Sequence, residues 1–303
     1  MRVSKAVILA AGYGTRMLPA TKVVPKELLP LVDRPAIEYI VEEVLESGIE
    51  HVIIVTAAGK RAVEDHFGRV SDLEQLLEMK GDTERLDRVR RTWQMADIAF
   101  VRQHEMGGIA HAVNSAKRAI GREPFVLMLP DDVIVADPPA TKQLLDVFDR
   151  YQASVVCVER IPRERTTSYG VIKGTPADDD VYRVSGLVEK PRPEDAPSDL
   201  GIIGRYVFTP GIFDAIARTM PGVSGELQIT DAMSRLLDDE PLYAATIEGR
   251  RYDTGQPLGY IEAGLELALR RPDFAGQLHD YLAQLVESDL FRSTEAAGEK
   301  GQR

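Results

Sequence analysis

The chain has 303 residues, of which 48 are acidic and 37 basic, so its formal net charge is −11. This balance argues against a nucleic-acid-binding protein, which usually presents a basic face. No apolar run reaches the about 18–20 residues of a membrane span, and the N-terminal residues lead straight into a strand without the apolar core of a signal peptide. We expect a cytoplasmic protein with no membrane partner, and the length fits one large α/β domain or two smaller ones.

A glycine-rich loop follows the first predicted strand. The apolar run Ala6–Leu9 is typical of a buried parallel strand, and after two alanines comes Gly12-Tyr-Gly-Thr-Arg16. Glycines directly after a strand let backbone N–H groups approach an anion closely. Arg16 can grip a phosphate with two N–H groups, and Lys26 follows as a compact charge. The segment suggests a triphosphate site, although a glycine turn among ordinary surface charges would show the same local pattern.

The loop matches neither of two common nucleotide-binding motifs. A P-loop needs Lys-Ser or Lys-Thr after its last glycine, and none follows Gly14. The dinucleotide fingerprint GxGxxG needs a third glycine where this chain has Met17. A cofactor-dependent α/β oxidoreductase is therefore disfavoured.

The next elements have the spacing of a βαβ unit. A helix over 36–46 with apolar residues at helical intervals precedes a second apolar strand, His51–Thr56, and this order predicts parallel strands. Residues 60–95 are charged and predicted to be mostly helical, with a solvated face. Their apolar stripe consists of Leu73, Leu76, Leu77 and Leu86.

A third strand, Ile98–Arg102, runs into a polar side chain and a glycine pair. Gln103 stands at the strand end, and Gly107-Gly108 opens a helix. A glutamine amide can pair with a uracil imide in two directions, and glycine lets the backbone approach a ring. His111 in this helix is interpreted as a residue that packs locally and not as a catalytic group.

An acidic pair ends the following strand. Phe125–Leu129 runs into Pro-Asp131-Asp132, and open α/β sheets bind ligands at the carboxyl ends of their strands. Carboxylate oxygens at such a place suit Mg²⁺, which binds through one or two carboxylates together with phosphates. Aspartate is also frequent in turns and helix caps, so the pair alone leaves both interpretations open.

The second half of the chain contains less helix. After a helix over 141–151, the strand over 154–159 contains Cys157, the single cysteine, which excludes an internal disulfide and is interpreted as a core residue. Residues 160–210 are predicted to hold short strands separated by turns. The pair Glu189-Lys190 before a proline is, in isolation, as readily a surface ion pair.

The last third is predicted to alternate strand and helix. A helix opens near Thr230 and Asp231, either of which would also serve as an N-cap, and a strand over 242–248 precedes Arg251-Tyr-Asp-Thr-Gly255. Two final helices, over 258–270 and 277–288, have apolar faces for the core or for another subunit. We expect a disordered tail over 291–303.

The motifs, in this order, resemble those of the sugar nucleotidyltransferases, and more narrowly of the bacterial UTP–glucose-1-phosphate uridylyltransferases, over about residues 5–285. The matching segments are AAGxGTR, PKELLP, RQ with GGIAHAV, LPDD, YGVI, VEKP, GRY, GELQITD and RYDTG. The fold implied is α/β, a doubly wound, Rossmann-like, mostly parallel or mixed sheet with helices on both faces. We expect a single domain over 1–290, with a nucleotide-binding half to about residue 150, a sugar-binding half to about residue 256, and C-terminal helices over 257–290.

The resemblance also implies roles for individual residues. The nucleotide would contact Ala10, Ala11, Gly12, Gly14, Thr15, Arg16, Lys26, Gln103, Gly108 and Asp131. The sugar would contact Gly170, Glu189, Lys190, Gly204, Arg205, Thr230 and Asp231. The catalytic set would be Arg16, Lys26, Asp131, Lys190 and Asp253, and Mg²⁺ would bind Asp131 and Asp253. The chain departs from the family pattern at Ala110, where glycine is usual, and at Thr254, where cysteine is more frequent.

The reaction implied is UTP plus glucose 1-phosphate giving UDP-glucose and pyrophosphate. The sugar phosphate, already anionic, would attack the α-phosphorus in line, so catalysis would rest on positioning and charge stabilisation. A homodimer or homotetramer is expected. A related transferase using dTTP or another hexose 1-phosphate would keep every motif. A non-catalytic nucleotide-sugar-binding protein is a further alternative, which the intact pair Asp131 and Asp253 disfavours.

Overall fold

The computed structural model describes residues 2–222 and 225–288. The tail over 291–303, expected to be disordered, lies outside the described residues. Thirteen strands are described: β1 (Lys5–Leu9), β2 (Pro30–Leu31), β3 (Arg34–Pro35), β4 (His51–Thr56), β5 (Asp97–Arg102), β6 (Phe125–Met128), β7 (Asp132–Val135), β8 (Ser154–Arg160), β9 (Gly170–Asp178), β10 (Val181–Glu189), β11 (Leu200–Phe208), β12 (Leu242–Ala245) and β13 (Arg250–Asp253).

Eleven α-helices connect the strands within the described part of the chain. They are α1 (Ala36–Glu46), α2 (Arg61–His66), α3 (Ser71–Lys80), α4 (Thr83–Gln94), α5 (Ile109–Ser115), α6 (Lys117–Ile120), α7 (Ala140–Tyr151), α8 (Gly211–Arg218), α9 (Ile229–Leu236), α10 (Pro257–Leu269) and α11 (Pro272–Glu287). Over the described residues, no helix combines the length and the apolar character that a bilayer crossing requires.

Nine strands form one mixed sheet in the order β5-β4-β1-β6-β11-β8-β12-β10-β9. The strands β5, β4, β1 and β6 are mutually parallel, whereas β11 runs antiparallel to both β6 and β8. The expected mixed α/β sheet is therefore confirmed. Two small pairs lie beside it, β7 with β13 and β2 with β3, both antiparallel.

Helices cover both faces of the sheet because alternate residues of its buried strands point to opposite sides. In β1, Ala6 and Ile8 pack with α1 and α7, whereas Val7 and Leu9 pack with α5, α8 and α9. The connections that follow β1 and precede β6 thus cross to different faces. Their loops diverge at the carboxyl end of the sheet, and this divergence opens the crevice where such folds bind ligands.

Most predicted elements are confirmed, and the differences have local causes. Residues 170–208 form three strands of nine residues each, not short strands, because sheet pairing carries β9 and β10 past Gly174, Pro176 and Gly186. The predicted strand over 242–248 ends at Ala245, and Arg250–Asp253 forms a strand of its own.

The predicted apolar stripe of four leucines and the single cysteine were also tested by the structure. Within the expected stripe Leu77 and Leu86 are buried, but Leu73 and Leu76 are exposed. Cys157 lies fully buried in β8, where burial raises the pKa of its thiol far above the ordinary value, and the core interpretation is confirmed.

Candidate active site

The loop after β1 packs against the segment that carries Lys26. Gly14 has a φ of +67°, and a Cβ there would stand 3.0 Å from Cβ of Lys26, so both the backbone and the packing require glycine. Thr21 fastens the loop, because its hydroxyl donates to the carbonyl of Gly14 at 2.7 Å. At Gly12 a Cβ would meet no atom within 4 Å, which leaves room beside the loop for a ligand.

The other predicted residues of this loop lie at different depths. Ala10 and Ala11 are buried, whereas Thr15 is exposed at the start of a 3₁₀ turn, Thr15–Met17. The backbone N–H of Ala10 donates to the carbonyl of Val55 at 2.8 Å, so the loop leaves the sheet immediately after this residue.

Asp131, just beyond β6, receives both predicted cations. Nζ of Lys26 donates to Oδ2 of Asp131 at 2.6 Å, and Nη2 of Arg16 lies 3.3 Å from the same oxygen. Burial by itself raises the pKa of the Asp131 carboxyl, but the Lys26 ammonium and the Arg16 guanidinium outweigh this effect and hold the pKa below its ordinary value. The carboxylate is therefore charged at neutral pH.

Strand pairing brings Asp253 to the same place despite its distance in sequence. In the β7–β13 pair Asp253 stands opposite Asp132, and Nη1 of Arg16 lies 3.8 Å from Oδ2 of Asp253. Burial, and then the nearby charge of Asp132, raises the pKa of the Asp253 carboxyl. Thr254 fixes the junction, since its N–H and its hydroxyl both donate to the carbonyl of Asp131, at 2.7 and 2.9 Å.

The two carboxylates face a space that a side chain on Gly255 would fill. A Cβ on Gly255 would stand 2.9 Å from Oδ2 of Asp131 and 3.1 Å from Oδ1 of Asp253, and 2.8 Å from Nη2 of Arg16, which borders the same space. Two carboxylates with room beside them fit a hard divalent cation that takes its remaining ligands from phosphates and water. No cluster of three or more His, Cys, Asp or Glu within residues 2–222 and 225–288 offers an all-protein metal site.

Asp132 has a structural role, because both of its carboxylate oxygens have partners within the protein. Its Oδ2 accepts the N–H of Gly204 at 2.7 Å, and its Oδ1 pairs with Nη1 of Arg251 at 2.6 Å. Arg251 also donates to Glu159 at 2.8 Å and to the hydroxyl of Tyr169 at 2.9 Å. Sequence reasoning missed Arg251, although its position two residues before Asp253 on one strand places both side chains on the same face.

A cavity of about 540 Å³ extends from the acidic pair towards the second half of the sheet. Arg16, Asp131 and Asp253 line one side. The predicted sugar-binding residues on the other side are Gly170, Glu189, Lys190, Gly204 and Thr230. The acidic pair and the predicted sugar-binding residues thus line one continuous crevice.

Gly170 lies where two polar side chains converge. A Cβ there would stand 2.8 Å from Oγ1 of Thr230 and 3.2 Å from Oε2 of Glu189, so only glycine leaves this corner of the pocket open. Lys190 adopts a φ of +48°, which is uncommon for lysine, and its Nζ lies 3.3 Å from Oε1 of Glu189. More than half of the Lys190 side chain is exposed to the crevice and solvent.

Helix α9 begins before both candidate caps. Ile229 is its first residue and Gln228 occupies the N-cap without a side-chain cap hydrogen bond, so Thr230 and Asp231 lie in the first turn. Thr230 lines the cavity, whereas Asp231 is not among the residues that line it. Burial, and then the charge of Glu189, raises the pKa of the Asp231 carboxyl.

The expectation that Arg205 contacts the sugar is corrected by the structure. Its guanidinium is fully buried and pairs with Glu43, with Nη2 to Oε2 at 2.7 Å. It also donates to the carbonyls of Leu129 at 3.2 Å and Asp132 at 2.7 Å, which flank Asp131. Arg205 therefore supports the loop that presents Asp131, while the N–H of Gly204 is already taken by Asp132.

The predicted base-reading residues lie outside the lining of that cavity, beyond the end of β5. Gln103 is buried, its N–H donates to the carbonyl of Thr56 at 2.7 Å, and its Nε2 lies 3.0 Å from Nδ1 of His111. Gly108 has a φ of +92°, and a Cβ there would stand 2.6 Å from the carbonyl oxygen of Leu227. Ala110 is fully buried and its N–H donates to the same oxygen at 3.0 Å, so the departure from glycine leaves the loop in place.

Comparisons with known proteins show which family this chain resembles. Residues 5–269 match the family model described as nucleotidyl transferase. A UTP–glucose-1-phosphate uridylyltransferase of Staphylococcus epidermidis is 45% identical over 284 residues, which cover 94% of this chain and 99% of the relative. One of Bacillus subtilis strain 168 is 45% identical over 288 residues, which cover 95% and 99%.

The solved structures that superpose on this chain include UDP-glucose pyrophosphorylases. A UDP-glucose pyrophosphorylase in complex with UDP-glucose superposes with a TM-score of 0.80 at 40% identity, over 89% of this chain and 100% of that one. The UTP-bound enzyme of Acinetobacter baumannii superposes with a TM-score of 0.87 at 34% identity, over 94% and 100%.

Proposed function

Since this chain belongs to the nucleotidyl transferase family, we propose that it transfers the uridylyl group of UTP to glucose 1-phosphate, giving UDP-glucose and pyrophosphate. Relatives that align over nearly the whole chain have this activity in their names, and the solved relatives hold UTP and UDP-glucose. The observation that carries the proposal is the convergence of Arg16, Lys26, Asp131 and Asp253 beside one cavity.

The chemistry follows from the charges in the crevice. The attacking oxygen of a sugar phosphate is anionic at neutral pH, so no side chain has to remove a proton, and catalysis is chiefly positioning. Arg16 and Lys26 would neutralise the triphosphate and the departing pyrophosphate. Lys190, across the crevice, would bind the attacking phosphate. Its exposed ammonium is available for this contact, because its ion pair with Glu189 is partly solvated.

We propose that Asp131 and Asp253 bind Mg²⁺ as the cofactor. Their oxygens face the space beside Gly255, and Arg16 lies 3.8 Å from Asp253, too far for a direct hydrogen bond. When bound, the cation would offset the charge of the phosphates. Arg16 lies close to both carboxylates and would hold the two side chains in a fixed relation as the substrates arrive.

The recognition residues divide between the two ends of the site. We propose that the loop Ala10–Thr15 follows the phosphates and that Gln103 and Gly108 contact the base. On the sugar side, Glu189 and Thr230 would bind ring hydroxyls in the corner that Gly170 leaves open. Gly204 lines the same cavity. Asp231 would contact the sugar from the edge of this cavity.

The chain would act as one domain over 1–290, because a single sheet joins the proposed nucleotide and sugar halves. A second copy of the chain is the proposed partner besides the substrates. Helix α11 has no buried residue, and Ile261 of α10 and Tyr281 of α11 are both exposed. Homodimers or homotetramers would cover these apolar side chains. Use of UTP would place the protein in the cytoplasm.

The test is pyrophosphate release in the presence of Mg²⁺. UTP, dTTP, ATP, GTP and CTP are each paired with glucose 1-phosphate, and UTP is then paired with other sugar 1-phosphates. Preference for UTP with glucose 1-phosphate is expected. Preference for another pair of substrates would keep the type of reaction but change the assigned substrates. If the protein binds UTP but releases no pyrophosphate with any sugar phosphate, the proposed reaction is refuted.

A further inference from the structure

The side-chain amide of Gln103 is held by a single neighbour. Its Nε2 lies 3.0 Å from Nδ1 of His111, and no described residue donates a hydrogen bond to its Oε1. Gln103 is only 4% exposed, and its backbone N–H is bound to the carbonyl of Thr56. The side chain therefore has little freedom beyond a flip of its terminal amide, which exchanges the oxygen and the nitrogen.

A glutamine amide by itself does not distinguish uracil from cytosine. Uracil presents an N3–H donor beside the O4 acceptor, whereas cytosine presents an N3 acceptor beside an amino donor. One orientation of the amide matches the first base and the flipped orientation matches the second. Discrimination therefore needs a neighbour that makes one orientation more stable.

We propose that His111 is this neighbour, and that it acts as a positioning residue for the selection of uracil. The inference rests on the proposed contact between Gln103 and the base. A neutral imidazole protonated on Nε2 offers Nδ1 as an acceptor, which takes one N–H of the amide. The second N–H and Oε1 then stand side by side for O4 and N3–H of uracil. The flipped amide would place Oε1 against Nδ1, two acceptors facing each other.

The imidazole is itself held in place by its surroundings. A Cβ on Gly107 would stand 2.9 Å from Cγ of His111, so only glycine allows the ring to lie here. The carbonyl of Gly107 accepts the N–H of Leu227 at 2.8 Å, and the hydroxyl of Ser115 donates to the carbonyl of His111 at 3.1 Å. Thymine has the same hydrogen-bonding edge as uracil, so among the pyrimidines this device selects only against cytosine.

The experiment compares kcat/KM for UTP and for CTP in the wild type and three variants. His111→Leu removes the acceptor. His111→Asp keeps an acceptor that cannot donate, in the first turn of α5, where a carboxylate is favoured by the helix dipole. Asn114→Ala, at an exposed position of the same helix, is the matched control. We expect His111→Leu to lower the ratio of kcat/KM for UTP to kcat/KM for CTP about tenfold, because the variant loses the free energy of about one hydrogen bond. The other two variants should keep the wild-type ratio.

An unchanged ratio in His111→Leu, or an equal loss in His111→Leu and His111→Asp, would overturn the inference. Adding His111→Leu to Gln103→Leu should cause no further change in the ratio, because the two residues act through one contact. If His111→Leu does not fold, nitrogen NMR of the histidines in the UTP-bound wild type decides. Nδ1 without a proton is expected, and a proton on Nδ1 would contradict the proposal. A wild type that does not turn over UTP refutes the proposed function instead.

Discussion

Replacing Arg205 by methionine tests the assignment of this residue to the fold instead of the sugar. Its guanidinium is buried, pairs with Glu43 and donates to the carbonyls of Leu129, Gly204 and Asp132. Arg205→Met keeps the unbranched apolar stem but leaves the Glu43 carboxylate without its cationic partner. The N–H and hydroxyl of Thr141 would still donate to that carboxylate, at 3.0 and 2.6 Å.

The expected loss can be worked out from these contacts. Removing one partner of a buried ion pair typically costs about 3–5 kcal/mol, because the other charge stays buried. The carbonyls that lose a donor add to this cost unless water reaches them. We expect a decrease in the free energy of unfolding of at least about 3 kcal/mol. The sugar-contact interpretation predicts a different result, a higher KM for glucose 1-phosphate at unchanged stability.

Urea unfolding of the wild type, Arg205→Met and Arg205→Met/Glu43→Gln measures the effect. The glutamine removes the stranded charge while its oxygen still accepts from Thr141, so the double variant should recover part of the loss. A single variant within about 1 kcal/mol of the wild type would refute the reasoning. A double variant no more stable than the single one would show that the buried charge is not the cause.

Three further predictions concern the acidic pair. Gly255→Ala should lower kcat/KM about a hundredfold or more at unchanged stability, because its Cβ would fill the space beside both carboxylates. The control is Gly264→Ala, which should leave kcat/KM unchanged because a Cβ there meets no atom within 4 Å. Asp131→Ala should abolish turnover while circular dichroism shows an intact fold, and normal activity in the folded variant would remove Asp131 from the mechanism. Because the pKa of Asp253 is raised, protons should compete with the cation at higher pH than they would at an ordinary aspartate. The Mg²⁺ concentration for half-maximal rate should therefore rise as pH falls, and a value that stays constant at every pH at which the enzyme remains folded would contradict this.

Local pattern was sufficient for most of the elements that carry the site. The apolar residues at helical intervals predicted α1 with the bounds that the structure has, Ala36–Glu46. Pattern failed where a local signal competes with pairing. Gly186, for example, has the residue type of a turn but lies inside β10. A separate difference is the start of α11 at Pro272, five residues before the predicted start, because proline is well accommodated in the first turn of a helix.

The sequence by itself determined which chemical groups reach the carboxyl edge of the sheet, because glycine loops and acidic pairs that follow apolar strands are local features. Only the tertiary structure decided what each group does there. Asp131 and Asp132 are neighbours with equal chemistry, yet the first meets Lys26 and the second meets Gly204 and Arg251. Arg205 likewise finds Glu43 through a packing contact across the fold. A side chain's role depends on partners that only strand pairing and helix packing bring together, and no local pattern encodes them.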